Sequence, residues 1–123
     1  MKHQLITMAV AACCMAAGTA GAMTKEEHKA QKDRIEADYK AAKAKCDSLK
    51  ANAKDVCEQE AKGAEKVAKA ELEAAYKPDA KATEKVAKVK AEAAYEVAKE
   101  KCDDMTGNAK DSCVADAKKL RKM

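Results

Sequence analysis

Residues 46–57 read CDSLKANAKDVC, and residues 102–113 repeat this frame as CDDMTGNAKDSC. Both copies begin and end with cysteine and carry the same Asn-Ala-Lys-Asp at the same place, at a constant offset of 56 residues. A cysteine frame that recurs whole at one offset predicts a single structural unit made twice. We call these two stretches the cysteine frames.

The chain around the frames has few large apolar side chains and many helix formers. It contains no Phe and no Trp, 37% of its residues are charged, and its formal net charge is +4. Alanine, lysine and glutamate dominate, and these residues favour helix. The composition therefore predicts an all-α fold in which helices approach through alanine. A core this thin commonly needs covalent cross-links.

A line of apolar residues with coiled-coil spacing, which we call a seam, begins before each cysteine frame and ends inside it. Spacings of four and three residues, which are typical of a coiled coil, connect the members of the first seam: Ile35, Tyr39, Ala42, Cys46 and Leu49. The equivalent positions of the second seam are Ala91, Tyr95, Ala98, Cys102 and Met105. Cysteine thus falls on the predicted buried line in both copies.

Each frame also contains the signals of a corner between two helices. Gly107 can adopt the left-handed conformation that ends a helix, and Asn108 can cap the next one. In the first frame Ala51 replaces the glycine, so Asn52 is expected to act as the cap. A corner here brings the two cysteines of each frame level across an antiparallel pair. This favours the disulfides Cys46–Cys57 and Cys102–Cys113, although four cysteines allow two other connectivities.

These signals predict four helices, over residues 24–50, 53–76, 80–105 and 109–121. They form two related, disulfide-stapled hairpins, 24–76 and 80–121, in a single all-α domain spanning 23–123. A reversal at Lys77-Pro78-Asp79 would pack the hairpins as a four-helix bundle, whereas a simple kink there would give an elongated rod. We favour the bundle, because a single hairpin leaves apolar positions such as Val67 and Val86 uncovered.

The first 22 residues read as a signal peptide. A positive start precedes the apolar residues 5–17, and Ala20-Gly21-Ala22 forms a small-residue cleavage site. The apolar run is shorter than the roughly 20 residues that a transmembrane helix needs. We therefore expect a periplasmic or secreted protein, where cysteines form disulfides. The alternative is lipidation at Cys13, since residues 10–13 resemble a lipobox.

Candidate chemistry is sparse, and we predict no catalytic residue, no metal ligand and no cofactor. A zinc site built from the four frame cysteines is disfavoured, because structural zinc takes paired ligands two to four residues apart. No C-x-x-C motif is present to activate a thiol. His28 has no nucleophile near it in sequence and is expected to be a half-exposed seam residue.

Charge patterning argues against nucleic acid as a partner. Acidic and basic residues are interleaved along the chain, whereas a nucleic-acid binder carries a surface of one sign. The C-terminus ends in a basic cluster that could contact an anionic lipid or cell-wall polymer: Lys118, Lys119, Arg121 and Lys122. The same cations would also offset the dipole of the last helix, and we prefer this interpretation.

A signal peptide followed by Lys/Ala/Glu-rich helix with C-D-x-x-x-x-N-A-K-D-x-C twice resembles small exported proteobacterial proteins of unknown function. Some of these are labelled TolA-like envelope proteins, and the resemblance implies no known activity. We therefore expect a non-enzymatic exported protein with a structural, stress-related or protein-interaction role. Two alternatives are a lipid-anchored or peptidoglycan-associated envelope spacer and a periplasmic binder of a metal or small ligand.

Overall fold

The computed structural model describes residues 21–123, and this part of the chain is helical without strands. Its helices are α1 (Lys25–Cys46), α2 (Ala51–Tyr76), α3 (Ala80–Cys102) and α4 (Gly107–Leu120). The predicted all-α class and stapled hairpins are confirmed. Cys13 and the predicted signal peptide up to residue 20 lie outside the described residues.

The helices pack in chain order. α1 lies against α2, α2 against α3 and α3 against α4, while no other pair of these helices has Cα atoms within 8 Å. The chain reverses at Pro78, so the hairpins pack together as a helical bundle and the elongated rod is wrong. The bundle is open, because α1 and α4 occupy opposite flanks of a central α2–α3 pair.

α1 begins with a capping box. The Thr24 hydroxyl oxygen accepts a hydrogen bond from the Glu27 backbone N–H at 3.1 Å, and the Glu27 carboxylate accepts one from the Thr24 N–H at 2.8 Å. Asp79 caps α3 in a similar way by accepting from the Ala82 N–H at 2.6 Å. These contacts satisfy N–H groups that a helix start leaves unpaired.

The two corners differ from the sequence-based expectation. α1 ends at Cys46 and α3 at Cys102, several residues earlier than predicted. Each following helix starts at a residue with positive φ, +52° at Ala51 and +59° at Gly107. The asparagines therefore fall one residue inside α2 and α4, beyond the flanking position where a side chain caps, and the predicted Asn52 and Asn108 caps are wrong.

The interior of the bundle is thin. Cys46 and Cys102 are the fully buried side chains of the described residues, and Leu72 and Tyr95 are the larger side chains that come close to full burial. The other buried positions are alanine or glycine: Ala61, Gly63, Ala70 and Ala117. Small residues let helices approach closely but bury little apolar area.

Both seams are shorter than predicted. Leu49 and Met105, their expected last members, lie in the corners outside the helices and are 40% and 43% exposed. They fail to reach the interior because the helices end at the cysteines just before them. Each buried line therefore terminates in a half-cystine.

Loss of the first disulfide should weaken the fold strongly. We expect the double change Cys46→Ser with Cys57→Ser to lower the free energy of unfolding by about 2–3 kcal/mol, as for closed loops of this length. Denaturant titration followed by circular dichroism measures the change. His28→Ala serves as the comparison and should cost less, about 1 kcal/mol at most, because its partner carboxylate is largely solvated. Equal losses from both variants would contradict the stapled-core model.

The positive φ at Ala51 gives a second prediction. Ala51→Gly should raise the free energy of unfolding by roughly 0.5–1 kcal/mol, because glycine adopts this conformation without the steric cost that alanine bears. The equivalent residue of the second frame is already Gly107. The control Ala53→Gly, inside α2, should instead lower the stability by about 1 kcal/mol. Destabilisation by both changes would show that Ala51 is unstrained.

Candidate functional site

The cysteine frames form the two predicted disulfides. Cys46 is bonded to Cys57 with their Cα atoms 5.6 Å apart, and Cys102 to Cys113 with theirs 5.7 Å apart. Because successive helices are antiparallel, both bridges lie at the end of the bundle opposite Pro78. All four thiols are consumed, so none is left to act as a thiolate ligand or nucleophile.

His28 lies near the Pro78 end and links α1 to α2. Its Nε2 is 2.7 Å from a carboxylate oxygen of Glu73, and its ring stacks on Tyr76 with centroids 4.3 Å apart. The histidine side chain is 19% exposed, which agrees with the predicted seam position. This arrangement ties the start of α1 to the end of α2.

The C-terminal cluster is only partly available to an anionic partner. The Arg121 Nε is 3.0 Å from a carboxylate oxygen of Glu92, and its guanidinium lies 4.9 Å from the centre of the Tyr95 ring. These contacts fasten the end of α4 to α3. Arg121 is therefore bound within the chain, unlike the exposed Lys118 and Lys122.

The last turn of α4 also shows the interaction with the helix dipole expected from the sequence. Lys118 and Lys119 occupy this turn, where positive charge is favourable. Lys119 donates a hydrogen bond of 2.7 Å to Asp116, and this bond, aided by the charge of Asp116, raises the pKa of Lys119. Two of the four predicted surface-binding residues thus have partners inside the protein.

A groove of about 620 Å³ runs between α2 and α3 on one face of the bundle. Its apolar lining consists of small side chains, four from each helix: Gly63, Ala64, Val67 and Ala68, with Ala93, Ala94, Val97 and Ala98. The two helices approach closely at its floor, where a Cβ added to Gly63 would stand 3.2 Å from the Cβ of Ala93. The groove is open to solvent along this line.

Two ion pairs cross from α3 to α2 at the ends of this groove. Lys101 Nζ lies 3.6 Å from Glu60 Oε1, and Lys90 Nζ lies 2.6 Å from Glu71 Oε1. Both acidic residues belong to α2 and both basic ones to α3. The groove therefore has an acidic rim on one side and a basic rim on the other, each spanning about 16 Å between its two charges.

Neighbouring grooves extend the same face toward both flanks. One lies between α1 and α2 and shares Ala64 and Ala68 with the central groove, while another, between α3 and α4, shares Ala98 and Lys101. In the first of these, Glu65 accepts a 2.6 Å hydrogen bond from Lys69, which raises the pKa of that lysine. One face of the molecule thus carries alanine-lined depressions across all four helices.

Sequence reasoning missed this surface, although its signal is present in the chain. Glu60, Ala64, Val67 and Glu71 are spaced four, three and four residues apart, and Lys90, Ala94, Val97 and Lys101 repeat that spacing. Such rows lie along one side of a helix. Neither row is recognisable as an apolar stripe, because each begins and ends with a charged residue, such as Glu60 and Lys90.

Within 21–123, no three His, Cys, Asp or Glu side chains come together in a way that could hold a metal ion. No helix in that range has both the length and the apolar character required to cross a bilayer.

Compared with models of protein families, with curated proteins and with solved structures, the chain gives no match.

The contact between Gly63 and Ala93 gives a third prediction. Gly63→Leu should lower the free energy of unfolding by about 1–3 kcal/mol, because the larger side chain forces α2 away from α3. Thermal melting followed by circular dichroism measures the loss. Ala37→Leu, at an exposed position of α1, is the matched control and should change stability by less than about 0.5 kcal/mol. Similar melting curves for the two variants would contradict close packing at Gly63.

Proposed function

We propose that this chain is an exported, non-enzymatic helical protein that works in an oxidising compartment, such as the periplasm, by binding other proteins through its surface. The observation that carries the proposal is that the fully buried side chains of residues 21–123 are half-cystines of the two disulfides. A fold that relies on disulfides to this extent needs an environment that keeps them oxidised.

The interaction role is supported by the open groove between α2 and α3. Apolar side chains that remain accessible in a line, flanked by charges, are typical of a surface that receives another protein segment. Ion pairs between helices, such as Glu71 with Lys90, hold the helices that present this surface. A rigid frame lowers the ordering cost of binding, because less freedom is lost when a partner docks.

The compartment is tested by expressing the whole chain in a Gram-negative host and measuring the intact mass of the protein in each cell fraction. We expect a periplasmic product that begins at Met23 and gains two hydrogens per disulfide on reduction. The physical reason is that cleavage after Ala22 follows export, and oxidation follows cleavage.

Three outcomes of that measurement would contradict the proposal. A cytoplasmic product that retains residues 1–22 would overturn export, and four free thiols in the periplasmic fraction would overturn the role of oxidation. A membrane-bound product carrying lipid on Cys13 would instead favour the envelope spacer. The variant Cys13→Ser is the control, since it should leave the mass of the Met23 product unchanged.

The interaction role has its own test in the same host. A photo-reactive residue placed at the exposed position of Ala64 crosslinks to any molecule that contacts the groove. We expect crosslinked products from position 64 and few from the exposed Ala37 on α1. Equal, weak crosslinking at both positions would contradict an interaction role for this face.

A further inference from the structure

The central groove has a feature that the proposed function does not use: its two rims carry opposite charges that pair across it at both ends. Reading across from α2 to α3, the rows pair Glu60 with Lys101 and Glu71 with Lys90. Between the charges, each helix contributes one alanine and one valine to the groove, Ala64 and Val67 from α2 and Ala94 and Val97 from α3. Each of these two acids on α2 is thus paired with a base on α3.

Both rows have the spacing of a coiled-coil seam, and within residues 21–123 no helix faces them. Ala64 and Ala94 are exposed, and Val67 and Val97 remain half-buried in the groove. In a coiled coil, residues at such spacing pack into holes of a facing helix. α1 and α4 cannot serve as that helix, because they lie against the outer flanks of α2 and α3.

We infer that the occupant of this groove is a second copy of the chain, and that the two copies form a symmetric dimer whose two-fold axis runs parallel to α2 and α3. Rotation about that axis keeps every residue at its own height and exchanges the left and right rims. α2 of one copy then lies over α3 of its partner, and the four helices close a common core.

Charge decides this orientation over the other face-to-face arrangement. With the axis parallel to the helices, the acidic rim of one copy meets the basic rim of its partner, at the same offset along the axis as in the ion pairs within one chain. With the axis perpendicular to the helices, α2 would lie over its own symmetry mate and bring Glu60 onto Glu71. Like charges placed opposite each other disfavour that arrangement.

A second copy also fits better than an unrelated helix on the basis of charge. An occupant must present basic residues over α2 and acidic residues over α3, each pair separated by about 16 Å. The chain itself offers this pattern, since a two-fold axis makes one surface complementary to itself. The dimer does not depend on the compartment proposed above, because it uses residues of α2 and α3 alone.

A charge exchange provides the decisive test. In the fourfold variant Glu60→Lys, Glu71→Lys, Lys90→Glu and Lys101→Glu, both ion pairs within the chain are retained with reversed direction. The wild type and the variant should therefore each fold and form homodimers. When the two proteins are mixed, we expect no heterodimers, because acidic rims would then meet acidic rims and basic rims would meet basic rims.

Native mass spectrometry of the two purified proteins, with both disulfides oxidised, measures the outcome. The two proteins have the same composition, so the wild type is labelled with ¹⁵N to distinguish it. Homodimers alone, after time for subunit exchange, would support the proposal. Heterodimers at the statistical level would contradict the pairing of acidic rims with basic rims. An excess of heterodimers would indicate the perpendicular axis and overturn the proposed one. A protein that stays monomeric throughout the micromolar range would overturn the dimer itself.

A second variant locates the interface in the groove. Ala94→Lys places one unpaired charge from each copy inside the contact and should raise the dimer Kd by roughly 100-fold, a factor of ten for each buried lysine. The matched control is Ala37→Lys, at an exposed position of α1 that does not line the groove. Sedimentation equilibrium gives both constants. An unchanged Kd for Ala94→Lys, with the helical spectrum preserved, would place the interface elsewhere and overturn the proposal.

Discussion

The rest of this structure depends on two sulfur–sulfur bonds that cross the helical corners. Cys46 and Cys102 are buried completely, whereas most of the other interior positions are occupied by alanine or glycine. Alanine brings helices close but removes little apolar surface from water, so packing alone contributes modestly. Closing each corner covalently restricts the unfolded chain and offsets that deficit. The open arrangement of the helices is tolerable for the same reason, since no large central core has to be enclosed.

Much of the architecture could be predicted from the sequence, because the repeated cysteine frame indicates a disulfide-linked helical corner that occurs twice. The spacing of Cys46 and Cys57 about a corner predicted the local disulfide, and Pro78 marked a break between the hairpins without deciding between a reversal and a kink. The helix ends were harder to predict. Asn52 looked like a cap by residue type, but a left-handed residue just before it starts the helix one position earlier. A single backbone conformation outweighed the side-chain preference, and sequence spacing does not reveal such a conformation at an alanine.

The groove was missed for a different reason. It is formed between two helices that are consecutive in the chain but matched in antiparallel register, so its rows become visible only when α2 is laid beside α3. The rows Glu60–Glu71 and Lys90–Lys101 carry charge at both ends, and in a chain with 37% charged residues such positions look like ordinary solvated surface. The relation between the two rows, with the acids of one paired to the bases of the other, defines this surface. Neither helix alone contains that information.

The placement of both bridges at one end makes the molecule mechanically uneven. The corner end is locked by covalent bonds, whereas the Pro78 end is held by contacts such as the stacking of His28 on Tyr76 and by the turn itself. Local unfolding should therefore start with separation of the helices at the Pro78 end and progress toward the disulfides. Amide protection would then rise steadily along α1 and α2 toward the sulfur atoms. A protease or chaperone that captures opened forms would meet the start of α1 first and the cysteine frames last.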